Sequence, residues 1–311
     1  MPQLKDLRRN PVLTNVSKAW KNDQLSFIAD RVFPTLPVDE DSGYYYVYDK
    51  TNLKNVDSRI APNSKALTPE IEYNLTKTAF GPLEKRKLKV FVDEDELKRS
   101  KPPLDARVDA TEILTESFMI NKEANAAALL NNTSIITQNT TLSGTSQWSD
   151  FGNSNPFSDI VAGITAIKQN GLKLPNTLVM SWEVWAVIQN HPDFLERIKY
   201  TQTGVLTTQA LAGLLGIPNI VIGMAAVNSG KEGQSDSLAP IWGKNVWLMN
   251  INATPGIKQL SAGYTLQLTD GRGVDNYVSN DPSGEFVRIS DFYLQYIMAS
   301  ELVYGIYAAV A

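Results

Sequence analysis

Between Phe27 and Asp49 the chain reads Phe27-Ile-Ala-Asp-Arg-Val-Phe-Pro34, Thr-Leu-Pro37-Val-Asp-Glu-Asp-Ser-Gly43, Tyr44-Tyr-Tyr-Val-Tyr-Asp49. The two X-Pro steps hold the backbone ahead of Pro34 and Pro37 in β or polyproline geometry and remove two N–H donors. A polar turn closes at Gly43, and the aromatic and β-branched run that follows suits a strand. The segment carries no reaction chemistry. It describes an extended arm, residues 1–43, with little to pack on in its own domain. The economical expectation is that it lies on a neighbouring subunit.

At 311 residues the chain has room for about two domains, each with its own core. Its formal charge of −4 argues against a protein that wraps nucleic-acid phosphate, since such domains are strongly basic. There is no cysteine, and His191 is the only histidine. Thiolate chemistry and zinc sites built from several histidines are therefore excluded. The N-terminus lacks the apolar core of a signal peptide, and no apolar run approaches the roughly 18 residues of a membrane span. A soluble chain made in a cytoplasm, without a membrane partner, is the expectation.

Farther along, residues 44–97 alternate strand signals with a long polar section from Lys50 to Pro69. Two strands joined across such a section describe a protruding hairpin, marginal alone and in need of a partner. Pro102-Pro103 introduces the longest helical signal, within 98–132. Ala106, Ala110, Ile113, Ser117, Ile120, Ala124 and Ala127 recur at steps of three and four, with Leu114 and Phe118 beside them. About 26 residues at 1.5 Å each give a rod of roughly 40 Å. Residues 133 to about 155 read as loop. In the compact α/β region that follows, Asn155 and Pro156 open a helix closed by Gly171. Strands are expected at Thr177–Ser181, Asn219–Ile222 and Val246–Ile251, and helices at Glu183–Asn190 and Thr207–Leu215. Only six charged residues fall between Thr201 and Asp270, so this stretch is buried or lined by neighbours. From Gly263 onward the pattern is strand after strand.

The arm segment, Pro103-Leu-Asp-Ala-Arg through Glu123-Ala-Asn-Ala-Ala-Ala-Leu-Leu130, and Ser146-Gln-Trp-Ser-Asp150 are similar to major capsid proteins of tailed bacteriophages. So are Leu174-Pro-Asn-Thr-Leu-Val-Met180, Ile198-Lys-Tyr-Thr-Gln-Thr-Gly204, Ile241-Trp-Gly-Lys-Asn245 and Ser261-Ala-Gly-Tyr264. The order spans nearly the whole chain and resembles the Hong Kong 97-type coat protein. The resemblance implies an α+β fold with an N-terminal arm (1–43) and an extended loop with its base strands (44–97). It further implies a spine helix of a peripheral domain (98–132), an axial domain (133–262) and return strands of the peripheral domain (263–311). It implies self-assembly into hexamers and pentamers of an icosahedral head around double-stranded DNA, in a virion assembled in the host cytoplasm. Other copies of the chain are then the main partners, and packaged DNA is touched non-specifically at most. With Met1 only some twenty residues ahead of the recognisable part of the arm, no cleavable scaffolding extension is expected. Scaffolding, and a portal, would be separate proteins.

Against an enzyme stands the absence of phosphate-binding loops and nucleophile elbows, and neither a catalytic residue nor a cofactor or metal is assigned. His191, with Asp193 nearby, reads as a helix-end residue before a proline, with Asp193 and Glu196 capping the next turn. Lys85, Arg86, Lys87 and Lys89, close to the acidic run Asp93, Glu94, Asp95 and Glu96, read as charges that meet another copy of the chain. Two alternatives remain: an encapsulin-type compartment shell, separated by its genome neighbours, and a soluble α/β enzyme, separated by elution as a monomer.

Overall fold

The computed structural model describes residues 22–48, 50–53, 55, 59, 65, 75–99, 105–199, 205–230, 233–254, 259–269 and 271–311. It begins with α1 (Ala29–Val32), β1 (Thr35–Val38), β2 (Gly43–Tyr48), β3 (Leu75–Phe80), β4 (Glu84–Asp93), α2 (Glu94–Arg99) and α3 (Ala106–Asn131). The middle holds β5 (Asn139–Thr141), α4 (Pro156–Gly171), β6 (Thr177–Ser181), α5 (Trp182–Asn190), α6 (Pro192–Ile198) and α7 (Thr208–Leu215). Then come β7 (Asn219–Gly223), β8 (Ala226–Asn228), β9 (Leu238–Pro240) and β10 (Val246–Met249). The chain closes with β11 (Gly263–Leu268), β12 (Gly273–Asn280), β13 (Ser283–Ile297) and β14 (Val303–Tyr307).

One sheet is organised by the long strand β13. β11 and β12 pair antiparallel with successive stretches of it, and β4 pairs antiparallel with Gly284–Tyr293. From Glu285 onward residues of β13 alternate: Val287, Ile289, Tyr293 and Ile297 are buried, while Phe286, Arg288, Phe292 and Tyr296 are half-exposed. That period of two is what a sheet covered on one face requires. The cover is α3, whose Ala110, Leu114 and Phe118 pack with Val92, Val287 and Ile289. The expected helix is thus present, but its buried stripe differs from the expected one. Ile113 is 60% exposed, Ala124 is exposed, and the face is set by Leu114 and Phe118. The larger side chains decide the rotation, because they bury more apolar area than alanine and serine.

The second sheet has the order β5-β14-β10-β6-β7. Every residue of β6 and β10 is buried, as expected of central strands covered on both faces. α4 follows the expected caps: the Asn155 side chain accepts the Ser158 N–H at 3.0 Å, and Pro156 occupies the first turn. Gly163 lets α4 approach closely, since a Cβ there would lie 2.5 Å from Leu248. Two expectations are corrected here. The segment 133–155 is not all loop, since β5 pairs parallel with β14. And β14, expected among the return strands of the first sheet, belongs to the second, antiparallel to β10.

The arm also departs from expectation. Ile28, Ala29, Val32 and Phe33 are buried in the same core as Ala126, Ala127 and Leu130 of α3. β1 runs parallel to β11 from Thr35↔Thr265 to Val38↔Leu268, so residues 28–38 belong to the body of their own subunit. Thr265 fixes the approach: its N–H donates to the Pro34 carbonyl and its hydroxyl to that of Phe33, both at 3.0 Å. Pro37 fits because β1 is an edge strand. A Cβ on Gly263 would lie 2.9 Å from the Phe33 ring, so glycine makes the room. The prolines extend the backbone, but the apolar Ile28, Val32 and Phe33 decide where it lies.

β2 and β3 pair with each other as a separate antiparallel ribbon, the hairpin expected on either side of the polar section. Most of that polar section, Lys50 to Pro69, lies outside the described residues. The ribbon meets the body where the Tyr45 ring stands edge-on to Tyr296, 6.0 Å between centroids. Burial, and then the hydrogen bond with Tyr296, push the Tyr45 phenol up to about 12. Beyond the ribbon, the Lys50 ammonium donates to the Asn170 carbonyl at 2.7 Å. Among the described residues, no helix is long and apolar enough to cross a membrane.

Because Phe33 is fully buried in the shared core, Phe33→Ala should destabilise the subunit by about 3–5 kcal/mol. Denaturant unfolding measures this. A cost of only a few tenths of a kcal/mol would mean that the arm is seated elsewhere.

Candidate functional site

The face of the first sheet opposite α3 is where the basic run lies. Alternation along β4 turns Leu88, Val90 and Val92 toward α3 and leaves Lys85, Lys87 and Lys89 exposed on the other face. Opposite them on β13 stand Phe292, Ser290 and Arg288. The Lys85 ammonium lies 4.9 Å from the Phe292 ring centre and that of Lys89 lies 4.3 Å from Phe286. Each such contact at an exposed site is worth about 0.5–1 kcal/mol. Arg288 reaches across to Asp275 on β12, its Nε 3.0 Å from Oδ1. The paired guanidinium holds the Asp275 carboxyl below the usual carboxylate range. The ammonium of Lys87 is depressed, first by neighbouring Lys85 and then by desolvation and Arg288. Arg86 sits apart from this strip, bonded to Glu84 with its guanidinium 4.8 Å from the Tyr293 ring centre.

The acidic run lies at the far end of β4 and opens α2. Asp93 accepts the Asp95 N–H at 2.7 Å, the geometry of a capping carboxylate. Glu94, Asp95 and Glu96 fill the first turn, where negative charge suits the helix dipole. Glu94 bonds to Lys98 and, at 2.5 Å, to the Ser283 hydroxyl, and both interactions lower its pKa, Lys98 first. Asp95 pairs with Arg99 at 3.6 Å. The structure therefore separates the two runs within one subunit, each with contacts of its own. Among the described residues, no ion pair joins the basic run to the acidic run.

His191 lies in the buried junction between α5 and α6. Its Nδ1 accepts the Asp193 N–H at 3.2 Å, which places the proton on Nε2, 3.0 Å from the Ser154 hydroxyl. The cap of α6 is thus His191 itself, where Asp193 and Glu196 were expected. Asp193 accepts the Phe157 N–H at 3.2 Å and pairs with Arg197. Phe151 and Phe194 stand edge-on to the imidazole. This is a helix-capping histidine in an aromatic setting, and the His-Pro pair that opens α6 is its sequence signal.

A groove of about 420 Å³ runs between Asn22–Phe27 and the outer face of α3, lined by Val108, Thr111, Thr115 and Met119 among others. Its charged side chains have structural partners: Arg107 pairs with Glu285 at 2.7 Å, and Glu116 accepts the Asn22 N–H at 2.8 Å.

No protein-family model matches the chain. Over 304 residues it is 26% identical to the major capsid protein of Burkholderia phage BcepMu, covering 95% of this chain and 94% of that protein. The major capsid protein of Pseudomonas phage JBD67 is 26% identical over 313 residues, covering 97% of each. Among solved structures, a phage-related protein from Bordetella bronchiseptica RB50 superposes with a TM-score of 0.71 at 23% identity, over 93% of this chain and 94% of that one. The capsid structure of cyanophage P-SCSP1u gives 0.61 at 12% identity, over 99% and 94%. The SrpI encapsulin of Synechococcus elongatus PCC 7942 gives 0.51 at 10%, over 96% and 95%. The fold is that of a Hong Kong 97-type capsid subunit, and the sequence relatives are phage major capsid proteins, as the resemblance implied.

Burial lowers the imidazole pKa of His191 from its ordinary 6.5. The unfolded chain therefore takes up the proton first, so this contribution to stability is present above about pH 6.5 and is lost as pH falls below it. His191→Asn keeps a side-chain cap and removes the titration. As pH falls from 7 to 5 the variant's unfolding free energy should gain on that of wild type, a difference from which titrations common to both chains cancel, and equal slopes would contradict the assignment.

Proposed function

We infer that this chain is the coat subunit of a tailed-phage head, a major capsid protein that builds a closed shell. The observation that carries this is similarity to phage major capsid proteins along nearly the full length, on a capsid-subunit fold. The encapsulin shares that fold, but the sequence relatives are phage proteins. The subunits gather as hexamers and pentamers of an icosahedral lattice enclosing double-stranded DNA. The chain serves a structural role rather than a catalytic one. A separate scaffolding protein and a portal complete the assembly, which takes place in the host cytoplasm and ends in the virion.

On this reading the β4–β13 face is a contact between copies. Lys85, Lys87 and Lys89 stand exposed on one end of the strand, whereas Arg86, expected to join them, is turned to the other face over Tyr293. The run Asp93, Glu94, Asp95 and Glu96 projects at the other end. Single exposed pairs contribute about 0–1 kcal/mol and are screened by salt. Repeated at every lattice contact, they select register by excluding like-charge dockings.

The test is expression of the full chain followed by negative-stain microscopy of the product. Closed shells of uniform size are expected, whereas a monodisperse monomer would contradict the reading. Reversing Lys85, Lys87 and Lys89 to Glu should slow or misdirect assembly and leave the subunit's melting temperature within a few degrees of wild type. Assembly at the wild-type rate across a range of salt would show the strip to be a solvated face only.

A further inference from the structure

Midway along α3 a carboxylate takes a place in an otherwise apolar, alanine-rich face. Glu123 is 1% exposed, next to Ala126, Ala127 and Leu130 in the buried stripe. Its two oxygens serve different parts of the chain. Oε1 accepts the Ala29 N–H at 2.5 Å, and the Ile28 N–H is directed at the same carboxylate. Oε2 accepts the indole N–H of Trp242 at 2.6 Å. The first donors belong to the opening turn of the arm, and the third to the segment between β9 and β10. Trp242 is itself fixed, edge-on to Trp247 at 5.7 Å and over Gly223, where a Cβ would lie 2.3 Å from its ring.

We propose that Glu123 is a latch whose protonation state sets how firmly the arm segment 28–38 is seated on the body of its own subunit. The inference concerns one subunit and does not depend on the shell reading. Seating the arm shuts the carboxyl away from water, and lifting it returns the group to solvent. In the seated form desolvation outweighs the three N–H donors and pushes the pKa up to about 7. Asp30 on α1 is the charged neighbour that adds to the rise, and its own partner is Lys122 of α3. From the opposite side Trp242 and Trp247 bring no charge.

The direction follows from linkage. The lifted form titrates near the ordinary carboxyl value of 4.5, while the seated form holds its proton to about 7. Seating is therefore favoured most below pH 4.5 and weakens as pH rises through 7, because the ionised group gains more from water than from the pocket. At a factor of ten per pH unit, the interval between the two values allows a change of about 300-fold at most.

Hydrogen exchange of the full chain tests this, with each rate referred to its intrinsic value at that pH. Protection of amides 28–33 should fall tenfold or more between pH 5.5 and 8.5, while protection in β6 and β10 stays constant. Glu123→Gln, which cannot ionise, should show no such slope. Flat wild-type protection, or a Gln variant with the wild-type slope, would overturn the proposal. Should the Gln variant not fold, Trp242→Phe decides. It removes a donor that favours the ionised form, so the midpoint should move to higher pH, and an unmoved midpoint would equally overturn the latch.

Discussion

The packing of Leu114 and Phe118 against Val287 and Ile289 is the contact on which the architecture turns. It fixes which face of β13 lies against α3 and so which face carries the basic strip. Burying side chains of this size stabilises by about 1.5–3 kcal/mol each, and β13 spreads the gain. Its fifteen residues pair with β4 along one edge and with β11 and β12 along the other. Strand alternation then dictates the rest. With odd-numbered residues of β13 turned toward α3, Lys85, Lys87 and Lys89 of β4 must point away from it.

The same helix reaches into the second core. Its last turn offers the Leu130 carbonyl to two donors, the Trp247 indole at 3.1 Å and the Tyr307 hydroxyl at 2.7 Å. These satisfy an acceptor that a helix end otherwise leaves open. One turn earlier, Ala126 and Ala127 are small enough for Ile28 and Phe33 of the arm to enter the same core. Helix, arm and both sheets are thus joined through one rod. A long helix with no equally long helical partner among the described residues is stable here because it has a sheet under its first half and a mixed core around its second.

Much of this was legible in the sequence. The N-cap at Asn155, the strand at Thr177–Ser181 and the helix ending at Leu215 rest on local signals, and local signals read correctly. What escaped depends on distant partners. The three residues of β5 become a strand only because β14 lies beside them. Ile28 and Phe33 look like stray apolar residues in an extended arm until Gly263 and Ala126 supply the space. Glu123 is hidden for a related reason: its donors are about a hundred residues away, and a glutamate in a helix is ordinarily unremarkable. Its one sequence trace is a charge amid an alanine-rich face. The charged face was legible as composition, but the separation of its basic and acidic ends became visible only with the pairing of β4 and β13.

Assembly then divides between two tasks. The subunit holds itself together through its own buried contacts, those of residues 28–38 included, and on the proposed reading its charged, aromatic-backed surface meets the next copy. Cross-linking of shells assembled from a mixture of ¹⁵N-labelled and unlabelled chains separates these tasks directly. The account predicts mixed-isotope links from Lys85, Lys87 and Lys89 to carboxylates of another copy, and loss of lysine reactivity on assembly. Links confined to single chains, with these three lysines as reactive in the shell as in the free subunit, would contradict it.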